Sequence, residues 1–468
     1  MAEAIERYYI TPNSNFIDPH SYRRVEAGNQ IELSWKLRYP EGTLVVDLSI
    51  LLWVSQVAVE LGFPDLDKNN FEQIKLSARI IDDVQSIVWQ YLQNTKLSSL
   101  YFVIGGGEGE QSEAPGQRNS VLRNILKRLF SGNTANVFLT FLFFSFVLFF
   151  IIGIYTVFVM IAFQIVYLIF SDRIAMNLGN VHPAAERPLV TIVSVRSNKE
   201  TLKALSSYAK KILPEIREEI SKTVQIPTTS VDRTNVKTTV LRILSRHSVQ
   251  ANLNDIEIKT RNIYGIVQRV SARFHRDPPR IVIANSLVSN AAATGISTRH
   301  SSIMITAGSL EDLNEEELES VIGHELGHIK GHDPVILGFV TSFEFFGRFF
   351  LWFPLFLSQP IIYFIVVFGA IFAIGKVLET RADTESAIVL GTPQSMASAL
   401  TKIGLRQLYH EKYSPVAKLL DWFQFDPHPP IYFRVKRMSE FNSSRRAKTK
   451  HTFLLSLRDC VMGFLSAF

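Results

Sequence analysis

Val137–Phe170 runs for 34 residues without one Asp, Glu, Lys or Arg. A stretch of that length and composition is hard to place in a fold surrounded by water. One helical span needs ~20 residues, and two need at least ~17 each plus a turn. The block falls between those lengths, so a tight hairpin and one long helix projecting beyond a bilayer both stay open. A second apolar block, Val335–Gly375, contains Pro354 and Pro360 near its middle and Glu344 and Arg348 in its first half. Its length suits two spans with the prolines at the turn. Glu344 and Arg348 are spaced i, i+4 and can neutralise each other. Apolar residues make up 47% of the 468 positions and Phe alone contributes 34. The Phe residues gather in these two blocks, while the 20% of charged residues belong to the rest. The chain reads as partly membrane-embedded and partly water-soluble.

The remaining segments have mixed polarity. Residues 1–100 read as soluble or peripheral. Within them Thr43–Gly62, which carries Asp47 and Glu60, reads as a buried helix or a strand plus a helix, and Phe71–Leu97 as an amphipathic helix. Ile104–Ser120 has three successive glycines but lacks the Lys and Ser/Thr of a phosphate-binding loop, so it reads as a linker. Arg118, Arg123, Lys127 and Arg128 follow. Arg187–Ser197 and Arg280–Ala284 read as strands, and Asn290–Gly295 and Ser302–Thr306 as strands joined by a turn. Asn198–Lys222 reads as a helix interrupted at Pro214. At the end, Arg445, Arg446, Lys448 and Lys450 precede an apolar tail with Arg458 and Asp459. That tail is too short and too charged to span, so it is expected on a bilayer surface or packed on the domain. The single cysteine, Cys460, allows no intrachain disulfide and fits a reducing compartment. The first residues lack the apolar core of a signal peptide. A net charge of +6 without a basic, aromatic-interleaved stripe gives no reason to expect nucleic acid.

Chemistry enters at GHELGHIKGH, Gly323–His332. His324 and His328 are four residues apart, which on a helix puts both on one face within reach of one ion. Asn314 and Glu317 form a capping-box pattern ahead of it. In HExxH sites the glutamate, here Glu325, takes a proton from zinc-activated water. A third ligand is needed. His332 lies one turn past His328, too far along a regular helix, and position 334 is Pro334. Glu379, followed one turn on by Asp383, is the stronger candidate, with Asp383 able to bond the far nitrogen of a ligating histidine. If His324, His328 and Glu379 share one ion, Val335–Gly375 must return to the side from which it left. Two crossings satisfy that parity, and so does an interfacial hairpin.

These residues resemble the HtpX-type integral-membrane zinc metalloproteases, relatives of the CAAX prenyl endopeptidase. The matching pieces, in order, are SNAAATG (Ser289–Gly295), ITAGSL (Ile305–Leu310), HELGH (His324–His328), LETRAD (Leu378–Asp383) with SAIVLG (Ser386–Gly391), and HPPIYFR (His428–Arg434). The resemblance implies one Zn2+ per chain on His324, His328 and Glu379, with Glu325 as base and Asp383 behind the ligands. It implies that His428 and Arg434 stand near the active site, where a cation stabilises the oxyanion. It implies that Asn290, Ala291, Ala292, Ala293, Thr294 and Gly295 form the edge strand that pairs with an extended substrate. It also favours the hairpin for Val137–Phe170. The ~135 residues before that block have no counterpart in the family pattern.

The expected fold is α+β, mainly α-helical: a membrane-embedded zincin domain with a small β-sheet and transmembrane helical hairpins. The expected organisation begins with an N-terminal domain (1–116), a basic juxtamembrane segment (117–136) and a transmembrane segment (137–170). A catalytic region carrying HExxH (171–334), a membrane hairpin (335–375) and a catalytic region carrying the third ligand (376–441) come next, ahead of a basic, amphipathic tail (442–468). The expected activity is zinc-dependent endopeptidase cleavage, facing the cytoplasm from a multi-pass position in the cell membrane. By the resemblance its substrates are misfolded membrane proteins. Two alternatives are a prenyl-protein (CAAX-type) endopeptidase, which needs more spans than the sequence offers, and a non-catalytic membrane scaffold or chaperone, which would not need every chemical position filled. The sequence says nothing of oligomeric state.

Overall fold

A computed structural model describes residues 1–105, 134–196, 215–224, 233–441 and 452–467, apart from residues 53–56 and scattered positions in loops. The expected linker after Gly105, the basic segment and most of the helix expected over Asn198–Lys222 lie outside the described residues. The chain divides into two compact units, one built on Met1–Phe102 with Val193–Ile220 and Asp232–Ile258, the other on Val103–Ile192, Ser221–Val231 and Lys259–Phe468.

The first unit holds an antiparallel meander of β1 (Arg23–Ala27), β2 (Gln30–Tyr39), β3 (Gly42–Leu52) and β4 (Val57–Gly62). A long helix, α1 (Phe71–Leu97), follows. Leu44, Val46, Leu48 and Ile50 of β3 are buried while Asp47 is exposed, the period-2 pattern of a half-buried strand. They share a core with Leu33, Trp35 and Leu37 of β2 and with Ile80, Val84 and Ile87 of α1. The described residues of Thr43–Gly62 are all in two paired strands, so the helix expected there is not found among them; it is the burial along β3, not the nearly continuous apolar character, that alternates.

A three-stranded sheet has the order β5 (Ser99–Gly105), β6 (Leu189–Arg196), β7 (Ile256–Asn262), and β6 is the strand expected over Arg187–Ser197. Helix α4 (Arg233–Arg246) belongs to the first unit.

In the second unit the uncharged block forms α2 (Thr134–Ile152) and α3 (Thr156–Met176), separated by one 3₁₀ turn at Gly153–Tyr155. Gly153 has φ +62°, a conformation that breaks a helix and suits glycine. Phe149, before the break, stacks on Phe349, and Val157 and Met160, after it, pack in the same cluster. Helix α5 (Ile263–Arg273) leads into a second three-stranded sheet with the order β8 (Arg280–Ala284), β10 (His300–Thr306), β9 (Ala291–Ser297). β8 and β10 are parallel, β10 and β9 antiparallel, so β9 is an edge strand.

Next come α6 (Glu315–Gly331), α7 (Asp333–Phe350), the short α8 (Phe353–Ser358) and α9 (Pro360–Leu390). α8 fills the turn expected between Pro354 and Pro360. Arg348 donates to both oxygens of Glu344 at 2.8–2.9 Å, and Tyr363 of α9 donates to Glu344 at 2.9 Å. The pair is thus self-neutralised, as its spacing implies. Gln164 of α3 donates to the Gly338 carbonyl of α7 at 3.1 Å and accepts from Ser342 at 3.0 Å. Among the described residues, two stretches are long and apolar enough to cross a membrane, Phe143–Met176 and Pro360–Leu390. The chain closes with α10 (Pro393–Tyr413), α11 (Pro415–Phe423), α12 (Ile431–Ser439) and α13 (Thr452–Leu465).

Candidate metal centre

α6 begins as its sequence predicts. Asn314 Oδ1 accepts from Glu317 N and Glu317 Oε2 accepts from Asn314 N, each at 2.8 Å. Along the helix, Gly323, Gly327 and Gly331 recur every fourth residue and form a bare stripe facing α9. A Cβ on Gly327 would stand 3.1 Å from the Ala382 Cα, and one on Gly323 would stand 2.7 Å from the Ser386 hydroxyl. A Cβ on Gly331 would collide with the Arg381 guanidinium. The stripe lets the two backbones approach, as small residues do in close helix pairs. The close approach brings Glu379 to the histidines of α6.

His324 Nε2 and His328 Nε2 are 3.1 Å apart. Glu379 Oε2 is 3.3 Å from the first and Oε1 is 3.3 Å from the second. A tetrahedral ion with ~2.0–2.1 Å bonds separates its donors by roughly 3.3–3.4 Å, so the triangle has the size of one face of such a site. Glu379 Oε2 is buried and makes no hydrogen bond among the described residues, which is expected of an oxygen directed at an ion. Two imidazoles and a carboxylate are a donor set suited to one metal ion. His332 is not part of the cluster. It has φ +56°, ends α6 and starts α7, as the helix-end reading of that residue expects.

Each imidazole is held from behind. Asp383 Oδ1 stands 2.9 Å from His324 Nδ1. Asp333 Oδ2 is 2.7 Å from His328 Nδ1. Arg381 Nη2 donates to Asp333 Oδ2 at 2.7 Å and to the Gly327 carbonyl at 3.0 Å. Asp333 and Arg381 are the residues that sequence reasoning missed. The signal was an acidic residue right after the end of the histidine helix, but only the turn at His332 brings it under His328. Burial works to lower both imidazoles, but the facing carboxylates outweigh it. The pKa of His324 is raised, and that of His328, facing Glu379 and Asp333, is held up at about 10.

Arg434 of α12 is buried and donates Nε to Asp383 Oδ2 at 2.9 Å and Nη2 to Asp383 Oδ1 at 2.8 Å. Its Nη2 is 3.6 Å from Glu379 Oε2. Glu411 of α10 accepts from Ile431 N at 3.1 Å and Tyr432 N at 2.8 Å, fixing the start of α12. His428 is half exposed, with Nε2 3.5 Å from Glu379 Oε1. Asp426 Oδ1 holds its Nδ1 and its backbone N–H, each at 2.8 Å. The charge of Glu379, together with Asp426, raises the pKa of His428. Glu325 is buried in α6 and acts electrostatically on both His328 and Arg434.

β9 packs along α6. Its residues Ala291, Ala292, Ala293, Thr294 and Gly295 pair with β10 from Ile305 back to Ser301. Asn290 lies just before the strand, and its backbone is engaged: the N–H donates to Thr306 Oγ1 at 2.9 Å, and the carbonyl accepts from Thr306 N at 3.0 Å and Ser309 Oγ at 2.9 Å. The structure therefore brings together His324, Glu325, His328, Glu379, Asp383, His428 and Arg434, with β9 beside α6.

Residues 257–442 match the model of peptidase family M48. The chain is similar to the protease HtpX homologue of Pyrococcus furiosus, 31% identical over 207 residues that span 38% of this chain and 72% of that one. It is 30% identical to the homologue of Moorella thermoacetica over 161 residues, 30% of this chain and 54% of that one. It is 32% identical to the homologue of Bifidobacterium longum over 176 residues, 33% and 56%. The crystal structure of Ste24p from S. mikatae aligns with a TM-score of only 0.27 at 14% identity, covering 80% of this chain and 90% of that one. The chemistry of the site and these likenesses together identify the group: the chain belongs to peptidase family M48, as a metalloprotease of the HtpX type.

Proposed function

We propose that the chain is a multi-pass membrane zinc endopeptidase whose active site faces the cytoplasm and whose substrates are misfolded membrane proteins. The observation that carries the chemistry is the triangle of His324, His328 and Glu379, with a buried Glu379 oxygen left without a hydrogen bond among the described residues. Those three residues would hold Zn2+. When bound, zinc supplies Lewis acidity that acidifies a water and polarises the scissile carbonyl. Glu325 takes the proton from the attacking water and delivers it to the leaving amine. Asp383 and Asp333 keep the two imidazoles in the tautomer that presents Nε2 to the ion. His428, half exposed at the edge of the site and with its charged form favoured by a raised pKa, donates to the developing oxyanion. Arg434 uses two donors on Asp383, so it positions that carboxylate and leaves the oxyanion to His428. β9 offers its open edge to an extended peptide, and its small Ala side chains admit the peptide backbone.

The membrane reading is supported by the two apolar stretches and by the break at Gly153, which suits a hairpin that returns the chain. The basic residues at Arg118, Arg123, Lys127 and Arg128 favour a cytoplasmic N-terminal part. The test is digestion of casein by the full chain in detergent. Wild type cleaves and stops on chelation, and Glu325→Gln falls by about 10²–10⁴ while keeping its metal. Cleavage that survives both treatments would refute the assignment.

A further inference from the structure

Helix α13 lies beyond the family match, which ends at residue 442. It is built inside out. Its inward face is mostly small or polar, apart from Phe464 packed by Trp422: Ser456 bonds Thr384 of α9 at 3.0 Å, and Asp459 accepts from Arg437 of α12 at 3.0 Å. Gly463 lies against the Phe433 ring so closely that a Cβ would overlap it. Its outward face is Phe453, Leu454, Leu457, Val461, Met462 and Leu465, each between 39% and 60% exposed. A helix between protein and water turns its apolar stripe inward. The reverse arrangement belongs to a helix whose outer medium is apolar, with small and polar residues making the helix–helix contact.

Two observations say what that medium is. The first is continuity. From Ser456 to Cys460 the contacts of α13 on α9 move from Thr384 back to Val377, so the helices are antiparallel. The C-terminal end of α13 thus heads toward the apolar half of α9, where Ile361, Ile362, Ile365 and Val366 are exposed. Phe423 of α11, also exposed, meets the Phe464 ring at 5.5 Å and widens the patch on that side. The second is charge. Arg445, Arg446, Lys448 and Lys450 precede the helix in sequence, and Arg458 is 68% exposed on it. Positive charge on the helix at Arg458, with four more basic residues just ahead of it in sequence, suits anionic headgroups.

We propose that the outward face of α13 is a docking surface for an anionic lipid bilayer. This rests on the membrane reading of the two apolar blocks. It adds a second contact in which the tail helix, held to α9 by Ser456 and to Arg437 of α12 by Asp459, lies against the lipid.

The test uses the full chain reconstituted in phosphatidylcholine–phosphatidylglycerol vesicles. Cys460, the chain's single cysteine, is replaced (Cys460→Ser), and metal content checks that the fold is intact. A fluorescent label is placed by Met462→Cys, with Leu454→Cys as an independent second site. Val366→Cys reports on the bilayer reading separately. The α13 labels should be quenched by brominated lipid about threefold more than by aqueous iodide, and more by brominated phosphatidylglycerol than by brominated phosphatidylcholine. Quenching by iodide alone would overturn the proposal, because the face is then wet. Quenching by neither would overturn it too, because protein, such as a second copy, then covers the face. Equal quenching by the two brominated lipids would remove the anionic preference. If the label at position 366 responds to lipid while those on α13 do not, this inference fails and the membrane reading stands. If none responds, both fail.

Discussion

Arg434 grips Asp383 through two parallel hydrogen bonds of 2.9 and 2.8 Å, and Asp383 in turn stands 2.9 Å from the far nitrogen of His324. A guanidinium 51 residues downstream of the carboxylate thus fixes the carboxylate that stands behind an imidazole on a third helix. The same arrangement repeats on the other histidine, where Arg381 holds Asp333 and Asp333 holds His328. Two ion pairs, each buried, frame one metal triangle.

Replacing Arg434 by Ala leaves Asp383 charged and buried without its partner. Removing one member of a buried pair costs about 3–5 kcal/mol, which for this chain should appear as a lower unfolding midpoint. Arg434→Lys keeps the charge but loses the two-pronged geometry, and zinc affinity should fall by about 10–100-fold. Thermal unfolding and competition with a chromogenic chelator read the two effects separately. An Arg434→Lys protein with unchanged affinity would show that the fork does not orient Asp383.

The glycine stripe makes a second prediction. Gly327→Ala places a methyl group 3.1 Å from the Ala382 Cα, so α6 and α9 must separate by a few tenths of an ångström. Overpacking of this kind costs about 1–3 kcal/mol. Because Glu379 reaches the histidines across that same contact, zinc affinity should drop along with stability. Loss of stability with unaltered metal binding would show that the close approach does not place the carboxylate.

Asp333→Asn removes the carboxylate behind His328 and frees the Arg381 guanidinium from its strongest partner. The expected result, read by the same chelator competition, is a loss of zinc affinity of about 10–100-fold, typical for such supporting groups. The loss should be accompanied by little change in the helical circular dichroism, since α6 keeps its cap at Asn314.

The sign of the pH dependence follows from His328. Its pKa in the metal-free fold is raised from 6.5 to about 10, so the charged imidazole stabilises the metal-free protein fully below pH ~6.5. That contribution is lost as pH rises from 6.5 toward 10. Zinc must displace the same proton, so its affinity rises over the same window. The gain in melting temperature on adding zinc should therefore be larger at about pH 8 than at about pH 6. A gain that shrinks with rising pH would contradict the assignment of His328 as a ligand.

Much of the site is legible in the sequence. The two histidines of HELGH lie one turn apart, and Glu379 and Asp383 repeat that spacing, so each half declares itself locally. What joins the halves is the packing of α9 on the glycine stripe of α6. Asp333 cannot be read in this way, because its place under His328 depends on the left-handed turn at His332. Gly327 is hidden for the opposite reason: inside a motif chosen for its charged residues, a glycine looks like a spacer until the backbone of α9 lies against it. Thr43–Gly62 misleads because its apolar residues are nearly continuous. Only the exposure of Asp47 between Val46 and Leu48 reveals the alternation. The tail helix is legible as amphipathic, but which face turns inward is not, since that is set by Ser456 on α9 and Asp459 on Arg437 of α12.

The central claim is that His324, His328 and Glu379 hold a single zinc ion, and metal content tests it most directly. Purified full chain measured by inductively coupled plasma mass spectrometry should carry about one zinc per protein, and Glu379→Ala, passed through the same chelator wash, should retain almost none. Equal zinc in the two proteins would contradict the account.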